Sequence, residues 1–331
     1  MTTSSIAENV DEQHRATILD LEVEIVRIAE EAAGIRSLEL ATLNGVPMPK
    51  WQPGAHIDLI LSSDLERQYS LCGDPTDHST WRVAVLREPE SRGGSQWVHD
   101  QLNVGDKILV RGPRNNFPLE EAENYLFIAG GIGITPILPM ISRCETDGVA
   151  WKLVYGGRSL SSMAFVDLLR QYGEDKVTLW PQDEHGIIDL QSLLGQPRTD
   201  TAVYCCGPGV LLDAVEDRCA TWPKGSLHLE RFRPKAGALD GVNTAFEVEL
   251  DETGIVLNVR ADQSIVDALD AAGIQVATSC REGTCGTCET VVFEGTPDHR
   301  DSFLTAQEKE SNEVMMICCS RAKCDRLVLD L

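Results

Sequence analysis

The chain has 331 residues, of which 42% are hydrophobic, and its formal net charge is −23. This length and composition predict two or three domains with ordinary apolar cores. The acidity argues against nucleic acid or an anionic membrane as a partner, and no stretch approaches the roughly 18 apolar residues of a transmembrane helix. Because Met1–Arg15 is polar and has no signal-peptide pattern, we expect a cytoplasmic protein.

The first part of the chain has the pattern of short strands. Residues 1–16 are expected to form a flexible tail, and alternation of apolar and polar residues begins at Leu19. It recurs in four segments separated by glycine, proline and asparagine: Ser37–Leu43, Ala55–Leu61, Arg82–Leu86 and Lys107–Arg111. Such alternation predicts an antiparallel β-barrel or sandwich. One helix, Ser95–Leu102, is predicted within it.

The pattern changes near residue 123. Tyr125–Ala129 is continuously apolar, as a strand buried on both faces should be. Helix-like and strand-like segments then follow one another: Pro136–Arg143, Trp151–Tyr155, Met163–Tyr172, Val177–Trp180, Leu190–Leu194, Ala202–Cys205 and Val210–Cys219. This succession predicts an α/β domain with a parallel sheet.

The last part of the chain begins after an aperiodic segment, Arg233–Thr244, which we predict to be a linker. Two strands, Phe246–Leu250 and Ile255–Arg260, and a short helix capped by Ser264 are predicted next. Residues 243–331 carry 7 basic and 17 acidic side chains, a net charge of −10. This concentration of negative charge either keeps the protein soluble or forms a docking face for a basic partner. The residues expected on such a face are Glu282, Glu289, Glu294 and Asp298.

Cysteines are concentrated near the end of the chain. Cys280, Cys285 and Cys288 form a C-x4-C-x2-C pattern, and Cys318 comes after 29 intervening residues. Four thiolates at this spacing are the ligands of a plant-type [2Fe–2S] cluster. A structural zinc site is the alternative, although zinc modules favour paired C-x2-C knuckles. Spacing alone leaves the fourth ligand open, because two more cysteines follow closely: Cys319 and Cys324.

Two motifs of the α/β domain favour nucleotide binding. The segment Gly130–Pro136, called here the glycine loop, lies between a predicted buried strand and a predicted helix. Glycines at that position let the backbone approach a pyrophosphate, whose charge the helix N-terminus stabilises. The segment Tyr204–Pro208 ends a later strand, at the edge where open α/β sheets bind ligands. Its Cys206 is either a site residue or a packing residue.

Two motifs of the first domain together suit a flavin phosphate. Arg67–Ser70 ends a predicted strand, and Arg92–Ser95 precedes the predicted helix. A fixed cation and the amides of a helix N-terminus are the groups that bind such a phosphate. Taken alone, Arg67 would be interpreted as a surface arginine.

Together these motifs resemble the ferredoxin–NADP⁺ reductase superfamily. The order of domains is similar to that of the phthalate dioxygenase reductase and vanillate O-demethylase reductase family, as are four further segments: Ser91–Ser95, Gly112–Leu119, His299–Asp301 and Cys319–Leu331. The resemblance implies a multidomain protein with an FMN-binding antiparallel β-barrel (17–118), an NAD-binding α/β domain with a parallel sheet (119–234), a linker (235–243) and an α+β β-grasp domain of plant-type ferredoxin (244–331).

The resemblance also implies the roles of individual residues. The cluster ligands would be Cys280, Cys285, Cys288 and Cys318. The FMN site would comprise Arg67, Gln68, Tyr69, Ser70, Ala84, Val85, Leu86, Arg92, Gly93, Gly94 and Ser95. The dinucleotide site would comprise Gly130, Gly131, Gly133, Thr135, Pro136, Arg158, Ser159, Cys206, Gly207 and Pro208. Phe232 would cover the flavin face where nicotinamide stacks, with a core phenylalanine as the alternative.

The resemblance implies NADH as the electron donor and FMN rather than FAD. Arg158-Ser159 is similar to the pair that binds the 2′-phosphate of NADPH, but no second basic residue is close to it. The implied function is a reductase component that passes electrons from NADH through FMN and the cluster to a Rieske-type terminal oxygenase acting on an aromatic acid or related compound. No acid–base side chain is required for the hydride step. The alternatives are a reductase with a non-oxygenase acceptor and a redox sensor.

Overall fold

The computed structural model describes residues 19–62 and 65–331. The predicted tail, residues 1–16, lies outside the described residues. The rest of the chain contains three separate sheets that follow one another along the sequence. None of the helices in the described ranges has the length and apolarity needed to cross a membrane.

The first sheet is antiparallel and six-stranded, with the order β4-β3-β6-β1-β2-β5. Its strands are β1 (Leu19–Ala32), β2 (Ile35–Thr42), β3 (Ala55–Ser62), β4 (Leu65–Ser70), β5 (Trp81–Leu86) and β6 (Lys107–Asn115). A bridge between Leu71 and Val83 joins the ends of the two edge strands, so the sheet closes into a barrel. Alternating side chains such as Val23 and Ile25 fill its interior. Helix α1 (Gly94–Asp100) packs against β3, β4 and β5.

The second sheet is parallel and five-stranded, with the order β11-β10-β7-β8-β9. Its strands are β7 (Asn124–Gly130), β8 (Ala150–Gly157), β9 (Val177–Pro181), β10 (Thr201–Cys206) and β11 (Leu227–Glu230). The helices are α2 (Ile137–Asp147), α3 (Val166–Arg170), α4 (Gln182–His185), α5 (Leu190–Leu194) and α6 (Gly209–Arg218). Two apolar clusters, one on each face, bury the central strands, which explains their continuous apolar sequences.

The third sheet is mixed, with the order β13-β12-β18-β14-β16. Its strands are β12 (Phe246–Leu250), β13 (Val256–Val259), β14 (Glu289–Glu294), β16 (Val314–Met316) and β18 (Arg326–Leu329). A small second ladder pairs β15 (Pro297–Asp298) with β17 (Arg321–Ala322), and the helices are α7 (Ile265–Ala271) and α8 (Ala306–Ser311). Only β12 and β18 run parallel in the mixed sheet, as in a β-grasp fold. The three sheets confirm the predicted fold class.

One predicted helix is shorter in the structure, and the short strand β11 was not predicted. The helix predicted over Met163–Tyr172 is shorter, because Phe165 has a left-handed backbone with a φ of 61° and α3 therefore begins at Val166. The strand β11 has only four residues and was not expected from the pattern.

Candidate functional site

The first part of the site is formed by β4 and the start of α1. The Arg67 guanidinium donates hydrogen bonds to the backbone oxygens of Glu66 and Arg92, both at 2.7 Å. Its side chain lies so close to Gly94 that a Cβ there would overlap Arg67 Cγ. The structure therefore brings together the two motifs that were predicted to bind a flavin phosphate, with a glycine where the arginine crosses the helix start.

The side chains of Gln68 and Arg92, two residues of the predicted flavin site, contact other parts of the chain. The side chain of Gln68 donates a hydrogen bond to the Ser279 hydroxyl, at 2.9 Å, because alternation along β4 directs it away from the face of Arg67 and Tyr69. The exposed guanidinium of Arg92 forms an ion pair with Glu282. Both side chains contact the segment that carries the cysteines, and the role of Gln68 and Arg92 at the flavin stays a prediction.

The predicted ring site lies between the end of β4 and β5. Ser70 is buried at the end of β4, and burial raises the pKa of the neighbouring Tyr69 phenol. Ala84 and Val85 are buried on β5, where Ala84 belongs to the apolar core that continues into the parallel sheet. The ring of His99 hydrogen-bonds to the backbone oxygen of Val85 at 2.9 Å. This edge of the barrel thus faces the second domain.

The glycine loop packs directly on the end of β10. A Cβ on Gly133 would overlap the backbone oxygen of Cys206, so the close approach requires glycine. Gly131 has a φ of 55°, and no described atom lies within 4 Å of its Cβ position, which leaves the backbone open to a ligand. Thr135 is buried and its hydroxyl donates to the backbone oxygen of Ile132 at 2.9 Å.

A buried carboxyl group joins the barrel to the parallel sheet. Glu230, at the end of β11, accepts a hydrogen bond from Cys206 Sγ at 3.9 Å and is hydrogen-bonded to the side chain of Ser70. Burial raises the pKa of Glu230 to about 8 and, with the Glu230 charge, raises that of Cys206. The neutral form of this carboxyl group is therefore favoured up to a higher pH than that of an exposed glutamate. Sequence reasoning missed Glu230, although it lies two residues before Phe232.

Phe232 lies between two arginines that form ion pairs. The preceding Arg231 is paired with Glu216 of α6 at 3.0 Å, and the following Arg233 is paired with Glu88 of the barrel at 3.1 Å. Phe232 itself is 41% exposed, which excludes the alternative of a core phenylalanine. Its role as the cover of the flavin face stays a prediction.

The second predicted nucleotide contact lies after β8. Arg158 is exposed, and its backbone oxygen accepts a hydrogen bond from the Asp183 amide at 3.1 Å. The Ser159 hydroxyl belongs to a capping box with Ser162. The local fold accounts for Ser159, and the guanidinium of Arg158 has no ion-pair partner among the described residues.

Four cysteine sulfurs meet in the segment 279–288, called here the cysteine loop, and at Cys318. The side chain of Cys280 is hydrogen-bonded to those of Cys285 and Cys318, and Cys318 is also hydrogen-bonded to Cys288. The first two hydrogen bonds lower the pKa of Cys280. Its sulfur also accepts two backbone N–H groups, from Glu282 at 3.3 Å and Thr284 at 3.4 Å. Thiolate donors stabilised by amides suit an iron–sulfur cluster.

The glycines of the cysteine loop and the two remaining cysteines have defined places. Gly283 and Gly286 have φ values of 70° and 71°, which favour glycine. A Cβ on Gly283 would overlap the sulfur of Cys319, so this cysteine packs on the loop. Cys324 Sγ instead donates to the backbone oxygen of Arg326 at 3.0 Å. The donor set and the loop geometry therefore fit the predicted cluster.

Comparison with known proteins decides the family. Residues 248–323 match the model of the 2Fe-2S iron-sulfur cluster binding domain, which confirms the cluster over the zinc alternative. The chain is 43% identical over 319 residues to the vanillate O-demethylase oxidoreductase of Pseudomonas sp. (strain HR199 / DSM 7063), covering 94% of this chain and all of that one. The chain belongs to this family of oxygenase reductases. The predicted family and enzyme class are confirmed.

Solved structures agree with this family. Phthalate dioxygenase reductase, described as a modular structure for electron transfer from pyridine nucleotides to [2Fe–2S], is 36% identical, covers 94% of this chain and 98% of its own, and has a TM-score of 0.69. An intact type IV self-sufficient cytochrome P450 monooxygenase is 42% identical over 94% of this chain, with a TM-score of 0.86. The region that matches this chain makes up only 41% of that larger protein.

Proposed function

We propose that the chain passes electrons from NADH through FMN and its [2Fe–2S] cluster to a terminal oxygenase. The observation that carries this proposal is the position of β4. Its residues Arg67 and Ser70 face the helix start and the cleft with the parallel sheet, while Gln68 contacts the cysteine loop. One strand thus borders the three places where the two cofactors and the nucleotide would bind.

The chain's own residues would bind and orient these groups. Arg67, Gly93, Gly94 and Ser95 would hold the FMN phosphate, and the β5 backbone from Ala84 to Leu86 would flank the ring. The glycine loop would hold the dinucleotide pyrophosphate, with nicotinamide beside Thr135, Cys206, Gly207 and Pro208. Bound flavin supplies the conversion between two-electron hydride chemistry and one-electron transfer. The neutral form of the Glu230 carboxyl would keep the cleft free of charge, and Phe232 would exclude water from it until nicotinamide stacks.

NADH is the proposed donor rather than NADPH. A 2′-phosphate would need at least one well-placed cation, and Arg158 is the exposed basic residue after β8. If Arg158 does not bind a phosphate, Arg158→Ala should leave the kcat/KM for NADH nearly unchanged, and NADH should exceed NADPH in the unmodified protein. A strong NADPH preference that disappears in Arg158→Ala would overturn this choice.

The proposed partner is an oxygenase that docks on the acidic third domain. The expected docking residues included Glu282 and Asp298, but these form ion pairs with Arg92 and Arg300 of the same chain. Glu289 and Glu294 on β14 are exposed and have no ion pair among the described residues, so they carry the docking proposal. Their charge would speed association with a basic surface more than it would strengthen binding.

The docking proposal is tested by stopped-flow reduction of the purified partner oxygenase. Reduction should slow as salt rises from about 0.1 M to 1 M, because the Debye length shrinks from about 10 Å to about 3 Å. The double variant Glu289→Lys/Glu294→Lys should slow it at low salt, and the control Glu174→Lys, an exposed charge reversal in the α/β domain, should not. Rates that ignore both salt and variants would show that the acidity only maintains solubility.

The class of oxygenase has two candidates. The vanillate and phthalate relatives favour a Rieske-type partner acting on an aromatic acid or related compound. The similarity to a self-sufficient cytochrome P450 monooxygenase favours a haem oxygenase instead. Incubating the reduced protein with one purified oxygenase of each kind and measuring product formation separates the two. If neither oxygenase forms product although the protein reduces an artificial acceptor rapidly, the result favours a non-oxygenase acceptor. If NADH oxidation is slow with every acceptor, the result favours a redox sensor.

The domain boundaries and the cellular location belong to the same proposal. The domain boundaries 17–118, 119–234, 235–243 and 244–331 are supported by the three sheets, each of which falls within one domain. The cytoplasmic location is supported by the eleven cysteines, all free thiols, since structural disulfides are typical of exported proteins.

A further inference from the structure

Polar side chains of the first domain contact the cysteine loop at three places. The contacts are the hydrogen bonds of Asp58 and Gln68 with Ser279, the ion pair of Arg92 with Glu282, and the hydrogen bond of the Asn116 amide to the backbone oxygen of Cys285. One contact falls on the ligand Cys285, one on Ser279 next to Cys280, and one on Glu282, two residues after Cys280. The orientation of the loop is therefore set from the barrel.

The three contacts differ in burial. Arg92 is 63% exposed, and exposed ion pairs of this kind contribute little to stability because water and salt screen them. Asp58 has a side-chain exposure of 0% and lies in the middle of β3, between the apolar residues Ile57 and Leu59. A buried carboxylate is costly unless it is paired and hydrogen-bonded. The buried contact therefore fixes the loop more firmly than the exposed one.

The two oxygens of Asp58 have different partners. Oδ2 accepts from Arg114 Nη2 at 2.5 Å within the barrel, and Oδ1 accepts from the Ser279 hydroxyl at 2.9 Å. The Ser279 oxygen in turn accepts from Gln68 Nε2 at 2.9 Å. Asp58 and Gln68 are direct neighbours across β3 and β4. Two rigid strands thus hold one hydroxyl group, and the next residue along the chain is the cluster ligand Cys280.

We propose that Asp58 and Gln68 are positioning residues for electron transfer from flavin to the cluster, acting through Ser279. The inference rests on the proposed function, since it concerns the step between the two proposed cofactors. Gln68 is the residue between Arg67 and Tyr69 of the flavin motif, so the same strand that would orient the flavin also orients the loop. Electron transfer falls steeply with distance, and small losses of orientation are costly to rate.

The test uses the full-length, cofactor-loaded protein and the variant Ser279→Ala. This change removes the hydroxyl while the buried pair of Asp58 and Arg114 stays intact. After mixing with NADH in a stopped-flow instrument, flavin reduction should be unchanged and cluster reduction should be about tenfold slower, because the loop loses a hydroxyl group that orients it. The matched control is Ser311→Ala, which removes an exposed hydroxyl at the end of α8 in the same domain.

A second measurement does not depend on turnover. Amide hydrogen exchange in residues 279–286 should speed up in Ser279→Ala and stay unchanged in Ser311→Ala, while the electron paramagnetic resonance spectrum of the reduced cluster keeps its g values. The variant Gln68→Met removes the donor from the barrel side and should speed up exchange in the same residues. This variant keeps the test decisive if Ser279→Ala fails to assemble its cluster.

Three outcomes would overturn the positioning role. They are unchanged cluster reduction with unchanged exchange in Ser279→Ala, equal slowing of flavin and cluster reduction, and an equal effect of Ser311→Ala. Failure of the proposed function is a separate result, because it would appear as an unmodified protein whose flavin NADH does not reduce. The exchange of residues 279–286 would still report whether Asp58 and Gln68 hold the loop.

Discussion

Replacing Asp58 by alanine should destabilise the barrel strongly, because it leaves Arg114 as a buried, unpaired cation. Arg114 is itself buried, and two of its nitrogens, Nε and Nη1, have no hydrogen-bond partner among the described residues. Its charge therefore depends on the contact of 2.5 Å with Asp58. Breaking a buried pair by removing one partner costs about 3–5 kcal/mol.

This cost converts into a large change in melting temperature. For a unit of roughly 100 residues, such as the proposed barrel domain, Tm shifts by at least about 4 °C per kcal/mol. Asp58→Ala should therefore lower the Tm of the barrel by at least about 12–20 °C. The release of flavin fluorescence on heating measures this transition separately from the unfolding of the other domains.

Two comparisons make the measurement specific. Asp20→Ala removes one of the two ion-pair partners of the partly exposed Arg111, at 2.8 Å, and leaves Glu66 as the other, so it should cost less than about 1 kcal/mol. The double variant Asp58→Leu/Arg114→Met removes both charges and should recover most of the lost stability. If Asp58→Ala and Asp20→Ala lower Tm by the same small amount, the buried pair does not stabilise the barrel and the reasoning is wrong.

Three further predictions address the cofactor sites. Cys285→Ser should abolish the cluster absorption while NADH still reduces the flavin; retained cluster absorption would contradict the ligand assignment. Arg67→Ala removes a phosphate contact of roughly 1.5–3 kcal/mol, so FMN affinity in equilibrium dialysis should fall about tenfold or more, and unchanged retention would make Arg67 a surface residue. Burial raises the pKa of Glu230 from about 4.5 to about 8, so its stabilising contribution is complete below the lower value and is lost as the pH rises through the higher. Between these two pH values, the free energy of unfolding in urea should fall by up to ~1.4 kcal/mol per pH unit relative to that of Glu230→Gln. The same pH dependence of unfolding free energy in both proteins would refute this.

The elements that were predicted correctly are those with strong local signals. The strand β7 and the glycine loop depend on consecutive residues, and Ser264 caps α7 as its sequence indicates. The spacing of the cysteines is local for three ligands, and the resemblance to plant-type ferredoxin supplied the fourth. Short elements such as β11 carry too few residues for a period to be visible.

The contacts between domains were not predictable, because they join residues far apart in the chain. Asp58 and Ser279 are 221 positions apart, and Gln68 and Ser279 are 211 positions apart. The one available signal was the charged residue Asp58 between apolar neighbours in the predicted strand Ala55–Leu61, since a buried carboxylate requires a partner. For the same reason Arg92 was assigned to the flavin site and Glu282 to the docking face, because their mutual contact exists only in the folded chain.

The central place of β18 in the third sheet has a consequence for folding. This strand lies between β12 and β14, and it pairs in parallel with β12, for example Val248 with Leu327. The strand that holds the two halves of the sheet together therefore comes later in the chain than all four proposed cluster ligands. Until β18 is in place, the thiols belong to an incomplete sheet with unpaired edges, which are prone to aggregation. Folding of the third domain therefore waits for β18, whereas the barrel and the parallel sheet are complete without it.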